Sequence, residues 1–315
     1  MNGVVAVTGA SGFIGQHLTA ALAAAGIRQR LLVRRLPTLP PVEAAASIEL
    51  VVGDLTDTAA LQRLVHGACA VIHLAGAIKA SSRAEFFRAN AQGLRDLLSA
   101  LAATGTPARL VHASSMAARE PHLSDYAASK RASEDHLIAT PPAAGWVAIR
   151  APAVYGPGDR ETLSFFRLVK HGLALVPAGG RGRLSLIHVA DLCAALMAML
   201  IRPPADGVYE IDDGAVGGYS LAEMAGVAAA VLGRPARVVG VPRLVMMGVA
   251  GVQQVVARVT GRPAILSPGK VREIFHHDWI VTDRRLAAAL DFRPRFDLKD
   301  GFADTIQWYS RRKWL

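Results

Sequence analysis

Residues 4–15 read Val4-Val5-Ala6-Val7-Thr8-Gly9-Ala10-Ser11-Gly12-Phe13-Ile14-Gly15, a short apolar strand running straight into a three-glycine turn and then into a helix-patterned stretch, Gln16 to Ala25. A three-glycine turn alone says little, but between a strand and a helix it is a cradle for a dinucleotide. Gly9 permits the tight turn, Gly12 lets the backbone approach a pyrophosphate, and Gly15 lets the helix lie close on the sheet. The phosphates then meet free N–H groups at the helix N-terminus, with Ser11, Phe13 and Ile14 completing the loop. Ala25-Gly26 closes the helix.

Beyond this unit, short apolar runs alternate with helix-period stretches. The runs are Leu31-Leu32-Val33, Ile48 to Val52, Ala70 to Leu74, Leu110 to Ala113 and Trp146 to Arg150. The stretches between them include Asp57 to His66, Arg83 to Ala103 and Ser124 to Ile138, each with apolar residues three and four apart. Strands separated by helices predict an α/β fold, a Rossmann-type doubly wound parallel sheet. After about residue 155 the pattern loosens into Pro- and Gly-rich turns, then returns at Leu186 to Val189 and Val208 to Ile211. The expected organisation is a dinucleotide-binding domain over 1–155 plus about 186–212. A smaller, mostly helical C-terminal substrate lobe covers about 156–185 and 213–315.

A chain of 315 residues, 52% hydrophobic and 19% charged, can bury a real core, which excludes a disordered chain. Cys69 and Cys193 lie in apolar runs and read as buried small hydrophobes of a reducing compartment, with no disulfide and no metal role. The first residues lack a basic leader and a cleavage site, so a cytoplasmic location is expected. Thirty-five basic against 25 acidic residues, net +10, suit an anionic partner: nucleic acid, a phosphate-rich cofactor or an anionic membrane face. Nucleic acid is the weakest reading. Basic residues are scattered except at Arg34-Arg35, Arg181 with Arg183, and Arg311-Arg312-Lys313, and none is interleaved with aromatics.

Arg34 and Arg35 follow the second strand, where an NAD-selective site places an acid on the ribose 2′-hydroxyl. A guanidinium there pairs with a 2′-phosphate, so NADP(H) is expected in preference to NAD(H). The alternative is that both arginines are ordinary surface residues and NAD binds anyway. The chemistry is expected in Ser114-Ser115, after the fifth strand, and in Tyr126-Ala127-Ala128-Ser129-Lys130. On a helix, Tyr126 and Lys130 share a face. A tyrosine in water has a pKa of roughly 10, and a cation in range lowers an acid's by about 1 to 3. Tyr126 thereby becomes a proton donor to a forming alkoxide, with Ser115 holding the same oxygen. In reverse, the phenolate is the base.

These motifs resemble the extended branch of the short-chain dehydrogenase/reductase family, over nearly the whole chain. The resemblance also rests on Gly53-Asp54-Leu55, His73-Leu74-Ala75-Gly76 and Asn90. Further on it rests on Arg150-Ala151-Pro152-Ala153-Val154-Tyr155-Gly156-Pro157-Gly158 and Ile187-His188-Val189-Ala190-Asp191. It implies that Asp54 and Leu55 lie by the adenine and that Leu74, Ala75, Gly76 and Asn90 lie along the cofactor. It also implies that Pro152 and Val154 pass the nicotinamide, and that the reaction is nicotinamide-dependent at a C–OH or C=O carbon. A homodimer through the helices of Asn90 and Tyr126 is compatible with it.

Two departures bear on the substrate. Only ten residues separate Ser115 from Tyr126, where nucleotide-sugar enzymes usually carry a longer insertion. Ser185 stands where those enzymes commonly place an arginine on the diphosphate, leaving Arg181 or Arg183 as substitutes or as plain loop arginines. The C-terminal half is strongly apolar over Val238 to Val259 and in Pro263-Ala264-Ile265-Leu266. With Pro242 at a first helical turn, the longer segment reads as core more readily than as lipid contact. Its interruption by Arg243 and Gln253-Gln254 excludes a membrane span but suits a peripheral contact at the inner membrane face.

The preferred reading is an NADP-dependent oxidoreductase of a bulky apolar alcohol or ketone, steroid-, flavonoid- or keto-sphingoid/ceramide-like. A nucleotide-sugar 4-epimerase or 4-reductase is the alternative, and a non-catalytic cofactor-bound subunit a third. His276-His277-Asp278-Trp279 reads as structural, and His66, His73 and His112 as core or strand-end histidines. Trp308 and Trp314 are expected to pin the last helix.

Overall fold

The structure is a computed structural model that describes residues 3–35, 47–179, 182–260, 264 and 266–315. It divides into two compact units, residues 1–150 with 193–209, and residues 151–192 with 210–315.

In the first unit the chain alternates strand and helix: β1 (Val4–Thr8), α1 (Phe13–Ala24), β2 (Gln29–Val33), β3 (Ile48–Val52), α2 (Thr58–Val65), β4 (Ala68–His73), α3 (Arg83–Phe87), α4 (Gly93–Thr104), β5 (Arg109–Ser115), α5 (Asp125–Ala139) and β6 (Trp146–Ala151). These six strands and Gly207–Glu210 form one sheet, in the order 207–210, β6, β5, β4, β1, β2, β3. β1 runs parallel to both β2 and β4, so the strand order reverses there. Ligands bind open α/β sheets at such a switch point, beyond the strands' carboxyl ends. β1 is buried from Val5 to Thr8 because a central parallel strand is covered on both faces, which is why its sequence is continuously apolar. Leu61, Leu64, Leu94, Leu97 and Leu101 of α2 and α4 pack against Val71 and Leu110 of the sheet.

The second unit has an aromatic core of Tyr155, Phe166, Phe302 and Tyr309. Tyr155 meets Phe302 edge-on at 5.3 Å between centroids, and the Tyr309 hydroxyl donates to the Asp159 carbonyl at 2.6 Å. Trp314 stacks on Tyr309 and meets Trp308 edge-on, which fastens the last helix, Leu298–Arg311. No helix among the described residues is long and apolar enough to cross a membrane.

Several elements differ from the sequence reading. The expected continuous helix from Arg83 is broken by a π-helical turn, Arg88–Gln92, which carries the buried Asn90. Asn90 spends its side chain on polar bonds from this turn, and apolar periodicity does not report such bonds. Leu186–His188 pairs with Ala153–Tyr155 in its own ladder and lies in the second unit. Pro242, expected at a first helical turn, does stand at the start of a helix, and the residues ahead of it form a strand that the sequence reading did not assign. Pro242, lacking an N–H, separates the strand Arg237–Val241 from the helix Arg243–Thr260, and its carbonyl accepts the N–H groups of Val245 and Met246. Cys69 is only half-buried, and His66 is exposed where α2 ends ahead of the left-handed Gly67. Arg181, Pro263 and Ile265 lie outside the described residues.

Candidate active site

The turn after β1 is built by close backbone approach. Gly9 sits at φ 73°, and a Cβ there would lie 2.6 Å from the Ala75 nitrogen. A Cβ on Gly15 would overlap the Gly9 carbonyl, while Gly12 donates its N–H to that carbonyl at 3.0 Å. Leu74 and Ala75, at the end of β4, are therefore pressed against the cradle. The Thr8 carbonyl takes the Leu74 N–H at 3.2 Å, and its hydroxyl oxygen takes the Ala75 N–H at 3.2 Å.

Capping sets the start of α1 apart from those of α2, α3 and α5. Asp57, Ser82 and Ser124 cap α2, α3 and α5 with side-chain oxygens. α1 starts after Gly12 with no side-chain cap and no acid in its first turn, and Ser11, Phe13 and Ile14 surround that end. Glycines that bring backbone N–H groups close, at an uncapped positive helix end, fit the pyrophosphate of a dinucleotide. Arg34 and Arg35 are exposed just past β2. Asp54 accepts the Thr56 hydroxyl and N–H at 2.6 and 2.8 Å, and these bonds, with the charge of Arg34, hold its carboxyl below the ordinary value. Leu55 fills the space that Gly93 leaves open on α4.

The polar cluster lies where α5 crosses the end of β5. Tyr126 and Lys130 are one turn apart on α5, and the Tyr126 ring lies 6.0 Å from that of Phe86. The buried Lys130 ammonium donates to the Ala113 carbonyl at 2.7 Å, two residues before Ser115. Burial pushes it down to about 8, against the opposing pull of Glu134. The Ser115 hydroxyl oxygen accepts the Ala117 N–H at 3.2 Å, a bond that uses a lone pair and leaves the O–H proton to donate. Asn90 exchanges two bonds with the Ala77 backbone, at 2.8 and 3.0 Å, and donates to Ser129 at 2.8 Å; Ser129 in turn donates to the Tyr126 carbonyl at 2.7 Å. A Cβ on Gly76 would lie 2.7 Å from the Asn90 amide oxygen and 3.5 Å from the Lys130 nitrogen. Gly76, Asn90, Lys130 and the Tyr126 turn thus share one neighbourhood. Pro152 and Val154 belong to the second unit, where Val154 pairs with Ile187.

One further group escaped the sequence reading, and two histidines that it placed in the core or at strand ends are buried there as a pair. Glu134, buried one turn beyond Lys130, accepts the Ser114 hydroxyl at 2.5 Å and a two-pronged bond from Arg150 at 2.7 and 3.0 Å. Its signal was the Tyr126, Lys130, Glu134 spacing of four, which puts all three on one helix face. His73 and His112 sit opposite each other in register on β4 and β5 and stack at 5.3 Å. Burial, and then the charge of Lys130, push His73 down to about 3 and His112 well below its ordinary value, so both rings are neutral at pH 7. Elsewhere, the half-buried Arg183 guanidinium donates to the carbonyls of Gly217 and Gly218 at 2.6 and 2.7 Å. Buried Ser185 donates to Asp212 at 2.8 Å and accepts the Val281 N–H at 3.0 Å.

Fold and site define a nicotinamide-dependent oxidoreductase of the short-chain dehydrogenase/reductase type. The model of the NAD dependent epimerase/dehydratase family matches residues 5–212, and the chain belongs to that family. It is 41% identical over 313 residues to a ceramide reductase of Caulobacter vibrioides (strain NA1000 / CB15N), covering 99% of this chain and 96% of that protein. It is 27% identical over 350 residues to a dTDP-4-dehydro-6-deoxy-D-allose reductase of a Streptomyces species, covering 98% and 97%. Among solved structures, MoeE5 in complex with UDP-glucuronic acid and NAD superposes with a TM-score of 0.74 at 25% identity, covering 99% of this chain and all of that one.

The buried ammonium has a measurable signature in the chain without cofactor. Unfolding returns Lys130 from about 8 to its ordinary 10.5, so between those pH values the unfolded chain holds the extra proton. Stability contributed through this site therefore rises with pH across that window. Measured by urea unfolding, wild type gains up to about 3 kcal/mol relative to Lys130→Met between pH 8 and 10.5. A difference that stays flat, or falls, contradicts the burial of the charge.

Proposed function

We propose that this chain is an NADP(H)-dependent oxidoreductase acting on a carbonyl or secondary alcohol of a bulky, lipid-like substrate, of the keto-sphingoid or ceramide type. The observation that carries the substrate class is the filled position of Ser185. At the place where nucleotide-sugar enzymes commonly present an arginine, the side chain is a short hydroxyl spent on Asp212 and the Val281 N–H. Arg183, the described substitute, spends its guanidinium on two backbone carbonyls and on Glu223 at 3.2 Å. Of these two described positions, neither offers a diphosphate an uncommitted guanidinium fork. The full-length similarity to a protein named ceramide reductase supports the same reading. The nucleotide-sugar alternative draws on the Streptomyces reductase and the UDP-sugar complex.

When bound, the nicotinamide supplies or accepts the reducing electrons at the substrate carbon. The cradle from Gly9 to Gly15 would hold its pyrophosphate, Asp54 and Leu55 would flank the adenine, and Arg34 with Arg35 would take the 2′-phosphate. Leu74, Ala75, Gly76 and Asn90 would line its remaining length. Tyr126 gives its phenolic proton to the oxygen of the carbonyl as that oxygen becomes an alkoxide, and Ser115 donates a hydrogen bond to the same atom. Lys130 keeps a positive charge one turn away, favouring the phenolate left behind. In the oxidative direction Tyr126 takes the proton back.

With wild type, kcat/KM for NADPH exceeds that for NADH, and Arg34→Ala removes roughly tenfold or more of the NADPH value. Equal use of both cofactors by wild type contradicts the preference. A long-chain keto-amide lipid is turned over, whereas uridine and thymidine diphosphates leave the melting temperature unmoved. A clear upward shift with either nucleotide overturns the lipid reading, because saturating binding stabilises the folded state.

A further inference from the structure

The helix Arg243–Thr260 carries its apolar side outward. Leu244, Val245, Val249, Val252, Val255, Val256 and Val259 are exposed, Leu244 by 86% and Val259 by 82%. They make up seven of the fourteen large apolar side chains exposed among the described residues, so they are not the single scattered contacts that any surface shows. At about 100° per residue, these seven and the exposed Gly248 fall within an arc of about 140°. Packing uses the other side. Ala250 and Ala257 are buried, and the Gln253 side chain accepts the Leu266 N–H at 3.0 Å. An ordinary surface helix buries its valines and presents its glutamines to water; this one does the reverse.

Charge narrows what covers the face. From Arg234 to Arg272 the sequence has seven basic residues and no Asp or Glu. Arg234, Arg237 and Arg243 are exposed at the start of this run. A second copy docked through the same face would set these cations against their own kind, which is unfavourable. An apolar strip set in a purely basic segment matches the interfacial layer of an anionic bilayer, where acyl chains take the valines and lipid phosphates take the arginines.

We propose that the Arg243–Thr260 helix is a membrane-docking surface, lying flat in the interface of a bilayer rich in anionic phospholipid. Because no described helix can span a bilayer, the contact is peripheral and reversible. The proposal does not depend on which carbonyl compound is reduced, and it is tested without turnover.

The test is co-sedimentation of the full chain with phosphatidylcholine vesicles, alone or mixed with phosphatidylglycerol, at low and high salt. Wild type sediments with the phosphatidylglycerol vesicles, less so with phosphatidylcholine alone, and is released as salt screens the headgroups. The variant Leu244→Gln/Val252→Gln/Val255→Gln/Val259→Gln keeps its melting transition but loses partitioning by on the order of tenfold or more. Wild type remaining in the supernatant with phosphatidylglycerol vesicles overturns the proposal, as does equal partitioning of the variant. A wild-type dimer that the four substitutions dissociate, with no vesicle binding, assigns the face to a second copy and overturns it too.

Discussion

A lysine ammonium taken out of water at the end of β5 is the constraint around which the first unit is arranged. Leaving a charge buried costs several kcal/mol unless its surroundings compensate. The Ala113 carbonyl accepts its proton directly, and Glu134 supplies an opposing charge one turn along the helix. Glu134 itself is tolerable because Arg150 and Ser114 satisfy its oxygens. His73 and His112 are kept neutral by the same dryness, so the two rings add no positive charge beside Lys130. The burial that threatens Lys130 is what makes its field felt, since a charge acts over a given distance more strongly away from water.

The cofactor cradle and this cluster are joined through the strand ends. Gly9 lies on Leu74 and Ala75, and Gly76, the next residue, lies on Asn90 and Lys130. Each contact needs a glycine, because a Cβ would fall on backbone or on a buried amide. Asn90 reaches across to the Ala77 backbone and to Ser129 from a helix that is locally widened into a π turn. Such turns are rare and are found mostly at functional sites.

The strand–glycine–helix start, the alternation of strands with helices along the chain, and the placing of Tyr126 with Lys130 on one helix were legible in the sequence, because each is a local pattern with a fixed period. What was not legible depends on what lies across the fold. Glu134 reads as an ordinary helix charge until α5 is laid on β5. His73 and His112 become a pair only once the register of β4 against β5 is known. The π turn at Asn90 hides in a run whose apolar spacing fits a plain helix. The apolar stretch after Pro242 was expected to be core more than lipid contact, since composition gives a helix its greasy face without saying where that face points.

In the proposed reaction, Ser115, Tyr126 and Lys130 would divide the work of moving one proton at one oxygen, and the cradle, Asp54 and Arg34 with Arg35 would anchor the cofactor. Single-turnover kinetics of Tyr126→Phe, with NADPH binding measured on the same sample, isolates the proton step. Binding should match wild type while the oxidation of bound NADPH in the presence of ketone slows by on the order of a hundredfold or more. A variant that binds NADPH and oxidises it at the wild-type rate would contradict the assignment of the phenol as the acid.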